Sequence, residues 1–247
     1  MNAPMQYLQA IRRLLDHYEC TQMDTIERAA TMVADCVLSG GAVHLAAIGH
    51  SNEQDFINRA GGPAFLQPLS FSLSLNDPVA DCLKDRPPTE PFDREGELVR
   101  LALRAGNLRP GDIVALGSVS GRNVRPVAIA LTCRELGIRT IAFTSMPYTA
   151  QVDSAHPSGR KLADVADVVI DNGAPFGDAA VEIPGYNFPL MPVSGASSVV
   201  GGWMIWGRAM ELMAGRGQPA SVFMSLNRPG GQEVYDRNRE RFQKLGY

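Results

Sequence analysis

Residues 111–123 read GDIVALGSVSGRN and contain the pattern on which the fold prediction rests. Residues 113–116 are a short run of apolar side chains, which is typical of a parallel strand covered on both faces. The small and polar residues 117–121 end this strand, and an apolar pattern with helical spacing follows over 126–136. The stretch therefore predicts a strand, a tight loop and a helix in succession.

The same succession of strand and helix extends over most of the chain. Further apolar runs predict strands over 42–48, 140–143 and 167–170, and a possible fifth strand over 221–224. This alternation predicts one doubly wound α/β domain with a parallel sheet flanked by helices. The predicted organisation is a single domain over 1–247, made of an N-terminal helical hairpin (1–40), an α/β core (41–231) and a C-terminal helix (232–247).

Composition and charge exclude several classes of function. The chain has 23 Lys+Arg against 26 Asp+Glu, and this net charge of −3 argues against a nucleic-acid partner. Residues 183–207 carry no Asp, Glu, Lys or Arg, but three prolines interrupt them, so we expect no membrane span. The 4 cysteines form no CxxC pattern and the N-terminus has no secretory signal, so we expect a cytoplasmic protein.

Polar side chains follow four of the predicted strands. They are Gly49, His50 and Ser51, then residues 118–123, then Thr144 and Ser145, and finally Asn172. Such residues are also common in ordinary turns and helix caps. Ligands of open parallel sheets, however, bind beyond the carboxyl ends of the strands, where these positions would meet. The sequence therefore predicts a neutral pocket rich in hydroxyl groups.

The loop at 118–123 carries the sharpest signal for a ligand. Ser118 and Ser120 supply hydroxyl donors, Gly121 allows close approach of the backbone, and Arg122 adds a positive charge. The backbone N–H groups of residues 121–123, a stretch that ends at Asn123, precede the next helix, and N–H groups in such a position favour an anion. The loop has neither the Gly-Lys-Ser/Thr of a Walker A motif nor a Gly-x-Gly-x-x-Gly pattern. A compact phosphate or sulfonate group therefore fits it better than a nucleotide.

This loop resembles the phosphate loop of the sugar isomerase (SIS) domain, which binds phosphosugars on a five-stranded parallel sheet. The likeness to the bacterial UPF0309 type extends over nearly the whole chain, through residues 49–51, 59–62, 154–162, 166–172, 177–179, Glu182 and 225–231. It implies an isomerase of phosphorylated sugars that forms a homodimer or homotetramer. Three positions depart from the family pattern and favour a changed substrate or a loss of catalysis: Ala47, the pair Gln54-Asp55, and Val119.

The resemblance also directs the choice of catalytic residues. Aldose–ketose isomerisation moves a proton between C1 and C2, which needs a base and a second group that acts on the oxygens. We expect Glu182 to be the base, with His50 and His156 as candidates for the second role. No metal and no cofactor are expected, because the histidines are dispersed along the chain. The alternatives are a non-catalytic phosphosugar sensor, or an epimerase, deaminase or sulfosugar isomerase with the same fold.

Overall fold

Five parallel strands form the centre of the protein in a computed structural model that describes residues 1–48, 50, 52–87 and 92–247. Their spatial order is β2-β1-β3-β4-β5, with Val43 paired to both Leu66 and Ile113 across the sheet. The strands are β1 (Val43–Leu45), β2 (Leu66–Pro68), β3 (Ile113–Gly117), β4 (Arg139–Thr144) and β5 (Val168–Asp171). The predicted doubly wound α/β class with a five-stranded parallel sheet is confirmed.

The fifth strand lies elsewhere than the sequence pattern predicts. Residues 221–224 form no strand, and Val222 makes only an isolated antiparallel bridge to Pro63. The fifth strand is β2, at the edge of the sheet beside β1. It has three residues and ends in Pro68, which lacks an N–H and is therefore tolerated at a sheet edge. A strand so short and ending in proline leaves little periodicity in the sequence.

Helices cover both faces of the sheet. Ile113 and Ala115 of β3 face one core cluster, whereas Val114 and Leu116 face the other, as the period of two along a strand requires. The helices are α1 (Ala3–His17), α2 (Met23–Leu38), α3 (Arg94–Ala105), α4 (Val124–Glu135), α5 (Met146–Thr149), α6 (Leu162–Val165), α7 (Ser194–Gly215) and α8 (Gly231–Leu245). Residues of α2 and α7 belong to the first cluster, and residues of α3, α4 and α6 belong to the second or pack against it.

Both predicted N-terminal helices are present, joined by the π-helical segment Tyr18–Gln22. Within this segment, the Thr21 hydroxyl donates to the carbonyl of His17 at 2.7 Å. This bond to the preceding turn is the usual alternative for a threonine inside a helix. The junction therefore remains helical in conformation.

Two glycines of α7 allow this helix to pack closely against Tyr18 and Phe56. A Cβ at Gly201 would lie 2.5 Å from the Tyr18 hydroxyl, and a Cβ at Gly202 would lie 2.4 Å from the Phe56 ring. Trp203 and Trp206 of the same helix contact Phe56 at ring-centroid distances of 5.6 and 6.1 Å. Within the described ranges, no helix combines the length and the apolar character needed to cross a lipid bilayer.

A short antiparallel pair of strands stands apart from the main sheet. It consists of β6 (Ala179–Val181) and β7 (Leu190–Pro192), with Val181 paired to Leu190. The sequence pattern predicts no strand over these residues. The pair forms part of the wall of the cavity described next.

Candidate functional site

A cavity of about 620 Å³ opens beside the carboxyl ends of β1 and β3. It brings together four of the predicted site residues, which are His50, Ser118, Ser120 and Asn123. Residues of the β6–β7 pair, together with Pro126 and Tyr148, complete the wall. Two further predicted residues, Gly49 and Ser51, lie outside the described residues.

The carbonyl groups of the 118–123 loop are bonded to the body of the protein. The Val119 carbonyl accepts from the Ser145 N–H at 2.9 Å, and the Ser120 carbonyl accepts from the Thr149 hydroxyl at 3.1 Å. The Gly121 and Arg122 carbonyls accept backbone N–H groups from the 155–162 region at 2.8 and 3.0 Å. Four consecutive carbonyls of the loop are therefore fixed in direction.

The N–H groups of the same peptide units point the opposite way. A trans peptide places its N–H opposite its C=O, so the N–H groups of Ser120, Arg122 and Asn123 face away from the contacts that hold the loop. None of these three N–H groups has a hydrogen-bond partner in the described part of the chain. Several backbone donors left unpaired in one turn before a helix are the ordinary setting for an anion.

Gly121 is required by the shape of this loop. Its φ of +66° lies in the left-handed region that residues with side chains rarely adopt. An added Cβ would also lie 2.9 Å from the Thr149 hydroxyl oxygen and 3.1 Å from that of Thr144. Gly121 therefore allows the loop to adopt this backbone conformation and to pack closely against Thr144 and Thr149.

Ser118 carries an unsatisfied hydroxyl at the base of the loop. The residue is 5% exposed, and its Oγ atom is buried without a hydrogen-bond partner among the described atoms. A buried polar atom without a partner is costly and rare in folded proteins. Because Ser118 also lines the cavity, its unpartnered hydroxyl is the candidate within the loop for a hydrogen bond to a ligand.

Three predicted binding residues lie outside this cavity. Thr144, Ser145 and Asn172 are fully or almost fully buried and do not line the cavity. The Thr144 hydroxyl donates to the Val119 carbonyl at 3.2 Å, and the Ser145 hydroxyl donates to the Ala174 carbonyl at 2.5 Å. The Asn172 amide bonds Ser198 and the N–H of Ala174. These polar groups satisfy buried backbone and thereby hold the strand ends in place.

The charged side chains near the loop are directed elsewhere. Arg122 is exposed and does not line the cavity. Arg125 bonds both carboxylate oxygens of Glu95, at 2.6 and 2.9 Å, and these bonds hold the pKa of that carboxyl below its ordinary value. No Lys or Arg side chain lines the described part of the cavity, so the unpaired N–H groups of the loop are the donors nearest to hand for an anion.

The other two predicted catalytic residues lie outside this cavity. The ring of His156 bonds the hydroxyl of Ser158 at 2.8 Å in a neighbouring loop. Glu182 lines a second cavity, of about 460 Å³, beside α1, together with Arg13 and His17. Residues of the β6–β7 pair line both cavities, so the two cavities border on the same pair of strands.

Sequence reasoning missed Tyr148 and left the role of Asp178 open. Asp178 borders the cavity, but its carboxylate accepts from the Ser194 N–H at 2.8 Å and the Ser194 hydroxyl at 2.7 Å. Both of its oxygens are therefore engaged at the start of α7. His50 is then the remaining candidate for acid–base chemistry at the described wall. A signal for Tyr148 was available, since it lies three residues after Ser145 at the polar end of β4.

No group of three or more possible metal-ligating side chains occurs in the described residues. The donors around the cavity are hydroxyl, amide and N–H groups, with one imidazole. Such donors suit a small anion that carries hydroxyl groups.

The chain has relatives over nearly its whole length. The family model described as "SIS domain" matches residues 6–145. The UPF0309 protein of Listeria monocytogenes is 31% identical in an alignment that covers 97% of this chain and 97% of that protein. The UPF0309 protein of Geobacillus kaustophilus is 32% identical, with 97% of this chain and 94% of that protein covered.

Two solved structures share the fold. A phosphoheptose isomerase from Francisella tularensis superimposes with a TM-score of 0.53 and 12% identity, over 85% of this chain and 98% of that one. The phosphoheptose isomerase GmhA from Neisseria gonorrhoeae gives a TM-score of 0.51 and 15% identity, over 84% of this chain and 95% of that one. At these identities the likeness concerns the fold alone.

Proposed function

Because this chain belongs to the SIS domain family, in its UPF0309 group, we propose that it binds a phosphorylated or similarly anionic monosaccharide and interconverts its aldose and ketose forms. The observation that carries the proposal is the buried, unpartnered Oγ of Ser118 beside the outward-facing N–H groups of its loop. The anionic group would bond these donors, and the sugar would extend into the cavity. We further propose that the protein acts as a homodimer or homotetramer.

The proposed reaction needs no external oxidant or reductant. The proton on C2 of the aldose moves to C1, and the hydroxyl proton on O2 moves to O1, through an enediolate. His50, at the cavity wall, would accept the C2 proton and return it to C1. The loop donors would hold the anion and thereby keep C1 and C2 in one position during both transfers.

One observation favours a second candidate function. Within the described lining, the only carboxylate is that of Asp178, and its oxygens are used in capping α7. We call residues 118–123 the anion loop. A cavity with this loop but without a free carboxylate also suits a sensor that binds a phosphosugar without converting it. An epimerase, a deaminase or a sulfosugar isomerase would use the same loop in the same way.

Proton exchange separates these candidates. The protein is incubated in heavy water with ribose 5-phosphate, glucose 6-phosphate, fructose 6-phosphate and sedoheptulose 7-phosphate, and exchange at C1 and C2 is followed by NMR. We expect exchange in the wild type and its loss in His50→Gln, with weaker substrate binding in Ser118→Ala. Saturable binding without exchange supports the sensor. Exchange that survives in His50→Gln but disappears in Glu182→Gln would transfer the role of base to Glu182.

A further inference from the structure

The lining of the cavity divides into two chemical groups. The anion loop and His50 supply the polar groups, whereas the remaining wall is largely apolar. The apolar part consists of Ala47, Pro126, Pro189, Leu190, Met191 and Pro192, together with the ring of Tyr148. Among the described lining residues, Tyr148 is the only Phe, Tyr or Trp.

The position of Tyr148 is fixed relative to the anion loop. Its backbone N–H donates to the Ser145 hydroxyl at 3.1 Å, which holds the first turn of α5. The next residue, Thr149, is buried and bonds the carbonyl of Ser120 in the loop. Tyr148 is therefore the neighbour in sequence of Thr149, the residue that bonds the 118–123 loop.

A second aromatic ring supports Tyr148. The rings of Tyr148 and Phe176 lie 4.9 Å apart between centroids, with an angle of 65° between their planes. Such an edge contact is favourable and restricts rotation of the side chain. Phe176 does not line the cavity, so it supports the ring and leaves the contact with a ligand to Tyr148.

We propose that Tyr148 is the specificity residue that distinguishes a sugar phosphate from a bare anion, by packing its ring against the carbon–hydrogen face of the sugar. This proposal rests on the proposed function, because it requires the anion of a sugar to occupy the 118–123 loop. A sugar ring exposes a face of C–H groups, and an aromatic ring is a suitable apolar surface for it. Inorganic phosphate has no such face and bonds the loop alone.

Isothermal titration calorimetry tests the proposal with two probes. One probe is inorganic phosphate, and the other is whichever of the four sugar phosphates named above binds the wild type most tightly. Tyr148→Leu keeps an apolar side chain without the aromatic ring, and Tyr148→Phe keeps the ring without the hydroxyl. We expect Tyr148→Leu to weaken sugar-phosphate binding by roughly 3- to 10-fold, the size of an aromatic packing contribution, and to leave phosphate binding unchanged. Tyr148→Phe should bind both probes as the wild type does.

Each alternative outcome has a distinct meaning. Equal losses for both probes in Tyr148→Leu, or no loss for either, would overturn the specificity role of the ring. A loss for the sugar phosphate in Tyr148→Phe that equals the loss in Tyr148→Leu would assign the effect to the hydroxyl and also overturn the proposal. If the wild type binds phosphate but none of the four sugar phosphates, the proposed function fails first and the specificity role fails with it.

Discussion

At the scale of single residues, two buried serines of the site have opposite hydrogen-bonding situations. The Ser118 hydroxyl has no partner within the described structure, whereas the Ser145 hydroxyl donates to the Ala174 carbonyl and accepts from the Tyr148 N–H. Removing an unpaired buried hydroxyl costs little stability, whereas removing a paired one leaves its partners unsatisfied. The two serines therefore form a matched pair for mutation.

We expect Ser118→Ala to leave the free energy of unfolding within about 0.5 kcal/mol of the wild type. Its affinity for phosphate should fall by about tenfold, because a hydrogen bond to a charged ligand contributes about 1.5 kcal/mol or more. Ser145→Ala should lower the free energy of unfolding by about 1–3 kcal/mol. Urea unfolding and calorimetry measure the two effects. Unchanged phosphate binding in Ser118→Ala would remove that serine from the site.

Gly121→Ala tests the shape of the anion loop. The substitution combines a φ of +66° with a Cβ contact of 2.9 Å to Thr149, so we expect a loss of about 2–3 kcal/mol in unfolding free energy and weaker phosphate binding. Gly159→Ala is the control, because Gly159 has a φ of +70° but open space around it. It should lose only about 1–2 kcal/mol. Equal losses in the two variants would show that the contact with Thr149 is unimportant.

The sequence identifies this site only in part, and the reason lies in what serine, threonine and asparagine do. The same residue types bind ligands and satisfy buried backbone groups. Ser118, Ser120 and Asn123 line the cavity as predicted, but Thr144, Ser145 and Asn172 are turned inward and support the strand ends. No local pattern separates the two roles, because the direction of each hydroxyl depends on contacts with distant parts of the chain.

At the scale of elements, strand prediction succeeded where the strand is covered on both faces. The apolar runs of β3 and β4 are visible in the sequence because helices bury both sides of them. The strands β2, β6 and β7 have three residues each, and β2 and β7 also include a proline and exposed positions. Their pairing depends on tertiary contacts that a short pattern does not encode.

Helix α7 allows a prediction that reverses the usual effect of a helical glycine. Replacing an interior glycine by alanine normally stabilises a helix by about 1 kcal/mol. Gly207→Ala should follow this rule, because its added Cβ meets nothing within 4 Å. Gly202→Ala should lower the free energy of unfolding by about 1–3 kcal/mol, because its Cβ would lie 2.4 Å from the Phe56 ring. Stabilisation of both variants in urea unfolding would contradict the described packing of α7.

At the scale of the whole molecule, burial raises the pKa of three groups that ionise to anions. It raises the pKa of Tyr18 to about 12, that of Cys36 to about 11 and that of Cys133 to about 12. Nearby Asp112 and Asp167 raise the two thiol values further. A pKa that is higher in the folded state than in the unfolded state stabilises the fold below the unfolded value, and this contribution is lost as pH rises toward the folded value.

We therefore expect the free energy of unfolding to fall as the pH rises from 8 to 10, by about 1–2 kcal/mol for each buried thiol. In Cys133→Ala, the difference between the free energies of unfolding at pH 8 and pH 10 should be smaller by about that amount. Cys20→Ala, which removes an exposed thiol, is the matched control. Urea unfolding at both pH values measures the difference. A Cys133→Ala variant with the wild-type difference would show that this thiol is not protected in the folded protein.

The location of both tryptophans on α7 determines what optical spectroscopy reports about this protein. Trp203 and Trp206 contact Phe56, and neither residue lines the cavity at the anion loop. Intrinsic tryptophan emission therefore monitors the loosening of the α7 face during unfolding and gives a clean signal for denaturation curves. Occupancy of the cavity should leave that emission nearly constant, so titrations with ligand require a calorimetric, NMR or tyrosine-based signal.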